Sequence, residues 1–259
     1  MEKKRCTAIV LAAGSGSRMN STVAKQFMHL DGKPLIWYAL QALEISEIID
    51  DCILVTGETD IPYMRREITE KYGFHKVEAV IAGGSERCFS VANALRAMEG
   101  ALRIPNRDGY VFIHDGARPF LTSAVLQSTY DAVRKYHACV AAVPSKDTIK
   151  IADREGFSAG TLDRNLLWNI QTPQVFDTGL IRGAYEKLLK EWEELRKRSI
   201  RVTDDAGVVE LFTDTKVRLV KAAYHNIKIT TPGDFLIAES FLYAGKKSEK
   251  RLKTQEKRD

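Results

Sequence analysis

The chain of 259 residues has only four cysteines, Cys6, Cys52, Cys88 and Cys139. They form no Cys-x-x-Cys pair, and no histidines stand near enough in sequence to complete a zinc site. Cys52 and Cys139 lie in apolar runs and read as small core residues, which fits a reducing, cytoplasmic setting. No apolar run approaches the roughly 20 residues needed to span a bilayer, so no membrane segment is expected. The basic start, Met1-Glu-Lys-Lys-Arg-Cys6, leads directly into a strand-like run with no apolar segment and cleavage site, so secretion is not expected. The five histidines (His29, His75, His114, His137 and His225) share no readable spacing with a serine, cysteine or acid. Nucleophilic triad chemistry therefore has no support in the sequence.

A strong charge of one sign on the folded body is also missing. The formal net charge is +5, but residues 246–259 carry +4 of it and residues 1–5 another +2. The body between them is left near −1. A nucleic-acid binder should carry its basic surface on the folded domain, so no nucleic-acid partner is expected. The segment 246–259 reads as a charged, solvated and flexible tail beyond a single domain of residues 1–245.

What is present is an alternation of strand and helix patterns. Strands are expected at Thr7–Ala13, Asp51–Thr56, Val77–Ala82, Tyr110–His114 and Ala138–Val143. Helices are expected at Leu35–Leu43, Ile61–Tyr72, Ser90–Glu99 and Ser123–Tyr136. This order implies an α/β fold with a doubly wound, mostly parallel sheet. The rhythm breaks at about residues 145–176. That stretch reads as extended, with a hairpin turn at Asp153–Gly156 and a tight turn at Gln171-Thr-Pro-Gln174. A β-excursion of this kind has open edges, so it reads as a protruding arm that pairs with another chain. Beyond it come the helix Leu180–Arg198, a helix capped by Thr203 or Asp204, late strands at Val217–Ala222 and Ile227–Thr230, and a closing helix Pro232–Tyr243.

The most informative stretch is Leu11-Ala-Ala-Gly-Ser-Gly-Ser-Arg-Met19, with Lys25 and Gln26 after it. Gly14 and Gly16 allow a tight turn and a close approach of backbone to ligand, and Arg18 and Lys25 add two cations. That combination suits a polyphosphate. It is not a Walker A loop, because Lys25 follows Ala24 rather than glycine. It is not a dinucleotide fingerprint either, because position 19 is methionine.

Other unusual residues fall at strand ends, where open parallel sheets bind ligands. Gly83-Gly84-Ser85 leads toward Ser90; it reads either as a close approach to a flat ligand or as a helix-capping turn. In His114-Asp115-Gly-Ala-Arg118-Pro119, Asp115 could hold a ribose hydroxyl or a magnesium ion, or pair with Arg118. His114 reads as a structural hydrogen-bonder. On the arm, Arg164 suits bidentate phosphate binding. Lys228 is an isolated charge between Ile227 and Ile229.

Taken in order, these motifs resemble one family. They are Leu-Ala-Ala-Gly-x-Gly-x-Arg-Met with Lys-Gln, Gly-Gly-x-x-Arg-x-x-Ser-Val at 83–91, His-Asp-x-Ala-Arg-Pro at 114–119 and Asp-Thr-Ile-Lys at 147–150. Arg-Asn-Leu-Leu-Trp at 164–168, Gln-Thr-Pro-Gln at 171–174, Thr-Asp-Asp-Ala at 203–206 and Asn-Ile-Lys-Ile-Thr at 226–230 follow. The set is similar to the 2-C-methyl-D-erythritol 4-phosphate cytidylyltransferases, a family of Rossmann-like nucleotidyltransferases, from about residue 7 to about 243.

The resemblance implies transfer of CMP from CTP to 2-C-methyl-D-erythritol 4-phosphate, with release of pyrophosphate and with Mg2+ bound alongside CTP. It implies catalytic roles for Arg18 and Lys25. Ala12, Ala13, Gly84, Ser85 and Ser90 match cytosine-reading positions, Gly14 and Gly16 hold the nucleotide, and Asp115 matches the residue near ribose and metal. Thr148, Arg164, Thr203 and Lys228 match the substrate-phosphate site. The first two of these reach across from the partner's arm in a homodimer. Gly116 stands where the family usually has alanine, Ser85 where some members have an acid, and His225 where an acid is common. A ribitol-5-phosphate cytidylyltransferase is the nearest alternative. Such enzymes tend to carry Leu-Ala-Gly-Gly in the first loop and lack the Arg-x-x-Leu-Trp arrangement at 164–168.

Overall fold

A computed structural model describes residues 3–14 and 24–255, with side chains to residue 245. In chain order the elements begin with β1 (Cys6–Ala12), β2 (His29–Leu30), β3 (Lys33–Pro34), α1 (Leu35–Glu44) and β4 (Asp51–Thr56). A short helix, α2 (Ile61–Tyr63), widens into π-type turns over Met64–Glu70. Then come β5 (Val77–Ala82), α3 (Arg87–Ala97), β6 (Tyr110–Asp115), α4 (Ser123–Tyr136) and β7 (Ala138–Pro144). The chain continues through β8 (Lys150–Ala152), β9 (Ser158–Thr161), β10 (Trp168–Asp177), α5 (Thr178–Lys197), α6 (Asp205–Phe212), β11 (Arg218–Lys221) and α7 (Pro232–Gln255).

Seven strands form one sheet in the order β11-β7-β10-β6-β1-β4-β5. All neighbours pair in parallel except β10, which runs antiparallel to both β6 and β7. The expected α/β, mostly parallel, Rossmann-like sheet is the fold observed. Burial on both faces explains why the central strands are continuous apolar runs rather than alternating ones. Ala8, Val10, Cys52, Leu54, Tyr110 and Phe112 pack on one side with α1 and α4. Ile9, Ile53, Val55, Val111 and Ile113 pack on the other with α3, α5 and α6.

Strand order reverses at β1, which lies between β4 and β6. A crevice therefore opens beyond the carboxyl ends of β1 and β6. The register sets Leu11 beside Asp115 and Ala12 beside Thr56, and Thr56 in turn beside Ala82. The antiparallel β10 starts at this same edge, with Trp168 opposite Pro144.

Local signals end and start the helices as their residue types suggest. Thr122 Oγ1 accepts from Val125 N–H at the start of α4, which ends at His137 in the left-handed region (φ 66°). Asp204, rather than Thr203, caps α6 by accepting from Gly207 N–H.

Three elements differ from the sequence expectation. Gln171–Gln174 is not a tight turn but part of β10, in a stretch where the pairing slips between Ile170 and Gln174. A proline inside a strand is tolerated at such an irregularity, and its turn-like signal was misleading. Ile227–Thr230 is not a strand. One backbone bond, Ile229 N–H to Ala117 O at 2.9 Å, lays it across the loop after β6. The closing helix runs on to Gln255 rather than ending at Tyr243, so the backbone of residues 246–255 is helical.

Of the expected arm at about 145–176, β8 and β9 form a separate two-stranded hairpin, whereas residues 168–176 belong to β10 of the central sheet, where pairing with β6 and β7 on both sides claims them. Asp153 Oδ1 closes the hairpin turn by accepting from Glu155 N–H and Phe157 N–H. The arm's apolar residues Ile151, Phe157 and Leu166 are exposed.

Candidate active site

Two clefts meet at the carboxyl edge of the sheet. The first, of about 400 Å³, is lined by Leu11, Ala12, Ala13, Gly14, Lys25, Gln26, Gly84, Ser85, Glu86, Arg87, Ser90, Asp115, Ala117 and Lys228. The second, of about 500 Å³, is lined among others by Arg87, Asp115, Arg118, Gln171, Thr172, Gln174, Thr203, Asp204, Glu210 and Lys228. Arg87, Asp115 and Lys228 belong to both and form the wall between them.

The first cleft is shaped by small residues, and at Gly83 and Gly84 there is no room for a side chain. A Cβ on Gly83 would come within 2.6 Å of Ala13 Cβ and 2.8 Å of Ser90 Oγ. Gly84 N–H donates to Ser90 Oγ at 3.0 Å, and that hydroxyl donates to Glu86 O at 3.2 Å. This lays the Gly83–Ser85 backbone along the cleft, where main-chain groups can read the edge of a flat base. Lys25 opens a short 3-10 turn, and its ammonium donates to Ile229 O at 3.3 Å.

Asp115 is the electrostatic centre. Its carboxylate lies 2.9 Å from Lys228 Nζ, 3.5 Å from Arg118 Nε and 3.7 Å from Arg87 Nε. Burial opposes its ionisation, but Lys228, Arg87 and Arg118 outweigh that and hold its pKa well below the usual carboxylate range. The carboxylate is thus a fixed negative charge surrounded by three cations.

Buried hydrogen bonds place these cations. Arg118 Nη1 donates to Asn226 O at 2.8 Å. Asn226 Nδ2 donates to Gln171 Oε1 at 3.0 Å and to Thr172 O at 2.9 Å. These bonds pin the segment carrying Lys228 onto the irregular part of β10 and point the lysine inward. Lys228, isolated in the sequence between Ile227 and Ile229, lines both clefts and pairs with Asp115.

His114 is fully buried. Asp115 N–H donates to Thr172 Oγ1 at 3.0 Å, and the same hydroxyl lies 2.9 Å from His114 Nδ1. His114 Nε2–H donates to Arg118 O at 3.3 Å. A carbonyl can only accept, so Nε2 carries the proton, and in the neutral ring Nδ1 accepts from the threonine hydroxyl. Burial pushes the His114 pKa down to about 4. It is the structural hydrogen-bonder the sequence suggested.

Of the residues singled out from the sequence, Ala12, Ala13, Gly14, Lys25, Gly84, Ser85, Ser90, Asp115 and Lys228 line the first cleft. Thr203 joins Asp115 and Lys228 in the second. Thr148 and Arg164 line neither; both are exposed at the arm, where Arg164 Nη1 donates to Lys146 O at 3.2 Å. Gly16 and Arg18 lie outside the described residues. Sequence reasoning did not give a binding role to Gln26, Arg87, Arg118, Gln174 or Glu210. Arg87 and Arg118 sat inside quoted motifs, but only their neighbourhood in space shows what they face.

Among the described residues no group of three or more His, Cys, Asp or Glu could cage a metal ion. Mg2+ often binds through one or two carboxylates together with substrate phosphates, and the ionised Asp115 fits that mode. No helix among the described residues is long and apolar enough to cross a membrane.

Residues 6–244 match the family model described as IspD: 2-C-methyl-D-erythritol 4-phosphate cytidylyltransferase. The chain belongs to this family. A 2-C-methyl-D-erythritol 4-phosphate cytidylyltransferase of Lachnospira eligens is 47% identical over 236 residues, which is 91% of this chain and 98% of the relative. One from Lachnoclostridium phytofermentans is 43% identical over 92% of this chain and 97% of its own length. Among solved structures, 4-diphosphocytidyl-2C-methyl-D-erythritol synthase from Anaerococcus prevotii is 34% identical and superposes with a TM-score of 0.77. That alignment covers 93% of this chain and 97% of the other. Cytidylyl transfer is thus the family's activity, and the seven-stranded fold is the family's fold.

The buried neutral His114 has a consequence for stability. Its folded pKa of about 4 lies below the reference value of 6.5, so its contribution is complete above pH 6.5 and is lost as pH falls through about 4. Urea unfolding of the wild type should show falling stability across this window. His114→Gln should flatten that part of the profile, measured by equilibrium unfolding at half-unit pH steps.

Proposed function

We propose that the protein transfers CMP from CTP to 2-C-methyl-D-erythritol 4-phosphate, giving 4-diphosphocytidyl-2-C-methyl-D-erythritol and pyrophosphate. The observation that carries this reading is the charged wall of Arg87, Asp115 and Lys228 between two clefts. One cleft is lined by small residues and backbone, as a nucleotide base requires. The other sets charged and amide side chains (Arg118, Gln171, Gln174, Thr203) beside apolar ones (Val140, Ile170, Leu219), as a sugar-alcohol phosphate with a methyl group requires. The two substrates would meet at the wall.

The reacting nucleophile is a phosphate oxygen of the acceptor. A phosphomonoester has a second pKa of about 6, so that oxygen is ionised near neutral pH and needs no general base. This agrees with the neutral, buried His114. The oxygen bonds to the α-phosphorus of CTP while the bond from that phosphorus to the bridging oxygen breaks. The electron pair leaves with pyrophosphate. The protein's tasks are alignment and charge stabilisation.

In this reading Arg18 and Lys25 stabilise the α-phosphate and the leaving pyrophosphate. Ala12, Ala13, Gly84, Ser85 and Ser90 read cytosine, and Gly14 and Gly16 hold the nucleotide. Asp115 serves the ribose and would hold Mg2+ together with the triphosphate. That ion, when bound, neutralises phosphate charge. Lys228 and Thr203 bind the acceptor phosphate, together with Thr148 and Arg164. The distance of these last two from the clefts of their own chain is accounted for by a homodimer in which each arm serves the partner's site. The exposed Ile151, Phe157 and Leu166 support an arm that is covered in the assembly. Residues 1–245 then form a single nucleotidyltransferase domain, followed by the charged tail 246–259, in a cytoplasmic enzyme.

Two measurements test this. Pyrophosphate release should be fastest with CTP and 2-C-methyl-D-erythritol 4-phosphate, and Lys25→Ala should lower turnover by about a hundredfold or more, as for other lost transition-state contacts. A preference for ribitol 5-phosphate would contradict the acceptor assignment. The arm is tested by mixing. Lys25→Ala and Arg164→Ala proteins, each weak alone, should regain activity when co-assembled, because one of the two sites in a mixed dimer is intact. A mixture no more active than its components would contradict the shared site.

A further inference from the structure

Arg87 opens α3, directly after the glycine loop of the first cleft. Its Nη1 and Nη2 donate to the two carboxylate oxygens of Asp205 at 2.8 and 2.7 Å. Asp205 is fully buried at the start of α6, two residues beyond Thr203. Tyr185 on α5 donates its hydroxyl to Asp205 Oδ1 at 2.6 Å. The remaining edge of the guanidinium turns the other way, with Nε 3.7 Å from Asp115.

One planar group therefore meets carboxylates from two segments. Asp205 belongs to the stretch that lines the second cleft through Thr203 and Asp204. Asp115 lies on the wall common to both. Two parallel bonds to Asp205 fix the plane of the guanidinium, while Tyr185 makes a separate single bond to Asp205 from α5. The direction in which Nε faces Asp115 is then set by the fold. Lysine could not do this: a point charge on a flexible stem satisfies one carboxylate without fixing the orientation of a second contact.

We propose that Arg87 is a positioning residue that sets the spacing and alignment of the two clefts, acting through Asp115 on one side and the Thr203–Asp205 segment on the other. This rests on reading the clefts as nucleotide and acceptor sites. Each cleft keeps its own binding groups without Arg87, so each substrate still binds alone. What is lost is the alignment of the attacking oxygen with the α-phosphorus, which matters only when both are bound.

A scaffold role alone makes a different forecast, and Tyr185 separates the two. Tyr185 bonds the same Asp205 oxygen but lines neither the first nor the second cleft. The test compares full-length Arg87→Lys, Arg87→Gln and Tyr185→Phe by steady-state kinetics, by calorimetric CTP binding without acceptor, and by thermal melting. Both Arg87 variants should lose about tenfold to a hundredfold in kcat, the scale for small misplacements of reacting groups, with CTP affinity changed less than about threefold. Tyr185→Phe should melt earlier yet keep kcat within about twofold, since a structural bond to Asp205 is lost but the guanidinium clamp is not. Should the Arg87 variants fail to fold, Asp205→Asn keeps the partner's shape, weakens the clamp and carries the same expectation.

The proposal is overturned if the Arg87 variants keep wild-type kcat, or if Tyr185→Phe loses as much kcat as they do. It is also overturned if CTP affinity falls in step with kcat, which would make Arg87 an ordinary nucleotide contact. The wild-type rate with CTP and methylerythritol phosphate tests the substrate reading separately. The contrast between Arg87 and Tyr185 is read on whichever acceptor the wild type uses.

Discussion

The site depends on one buried negative charge. Asp115 ends the central strand β6 and is met by Lys228, Arg118 and Arg87, each from a different direction. Three cations converging without an anion would repel one another and the fold around them. Asp115 makes their convergence possible, and they in turn keep it ionised where burial alone would favour the neutral acid.

Several pieces of the fold hold that cluster. The strand reversal at β1 opens the crevice. The antiparallel β10 enters at the same edge and brings Gln171 and Thr172, which hold Asn226 and, through it, the approach of Lys228. His114 and Thr172 brace Asp115 from behind through its own backbone N–H. The loss of regular pairing between Ile170 and Gln174 is what frees this stretch of β10 to bond sideways rather than only along the ladder.

Much of this was legible in the sequence. The apolar runs Ala8–Ala13 and Cys52–Thr56 fixed the strands because both faces are buried, and the glycine loop and Asp115 announced themselves at strand ends. Two things were not legible. Gln171-Thr-Pro-Gln174 carries turn residues, and only the tertiary partners of Gln171, Thr172 and Gln174 show why a strand tolerates them. Arg87 and Asp205 are 118 positions apart, and no local pattern links an arginine at one helix start to an aspartate at another. The family resemblance implies the substrate and the proposed roles of individual residues, but a clamp made of long-range contacts shows only in space.

Asp115 is, on this account, a hub that stays ionised below the usual carboxylate range. Carbon-detected NMR of the Asp115 carboxyl, assigned by comparison with Asp115→Asn, tests this directly as the pH is lowered from 7. The carboxyl should show no titration in the ordinary aspartate range near pH 3.9 for as long as the protein stays folded. A titration of Asp115 at about that pH in the folded protein would contradict the account.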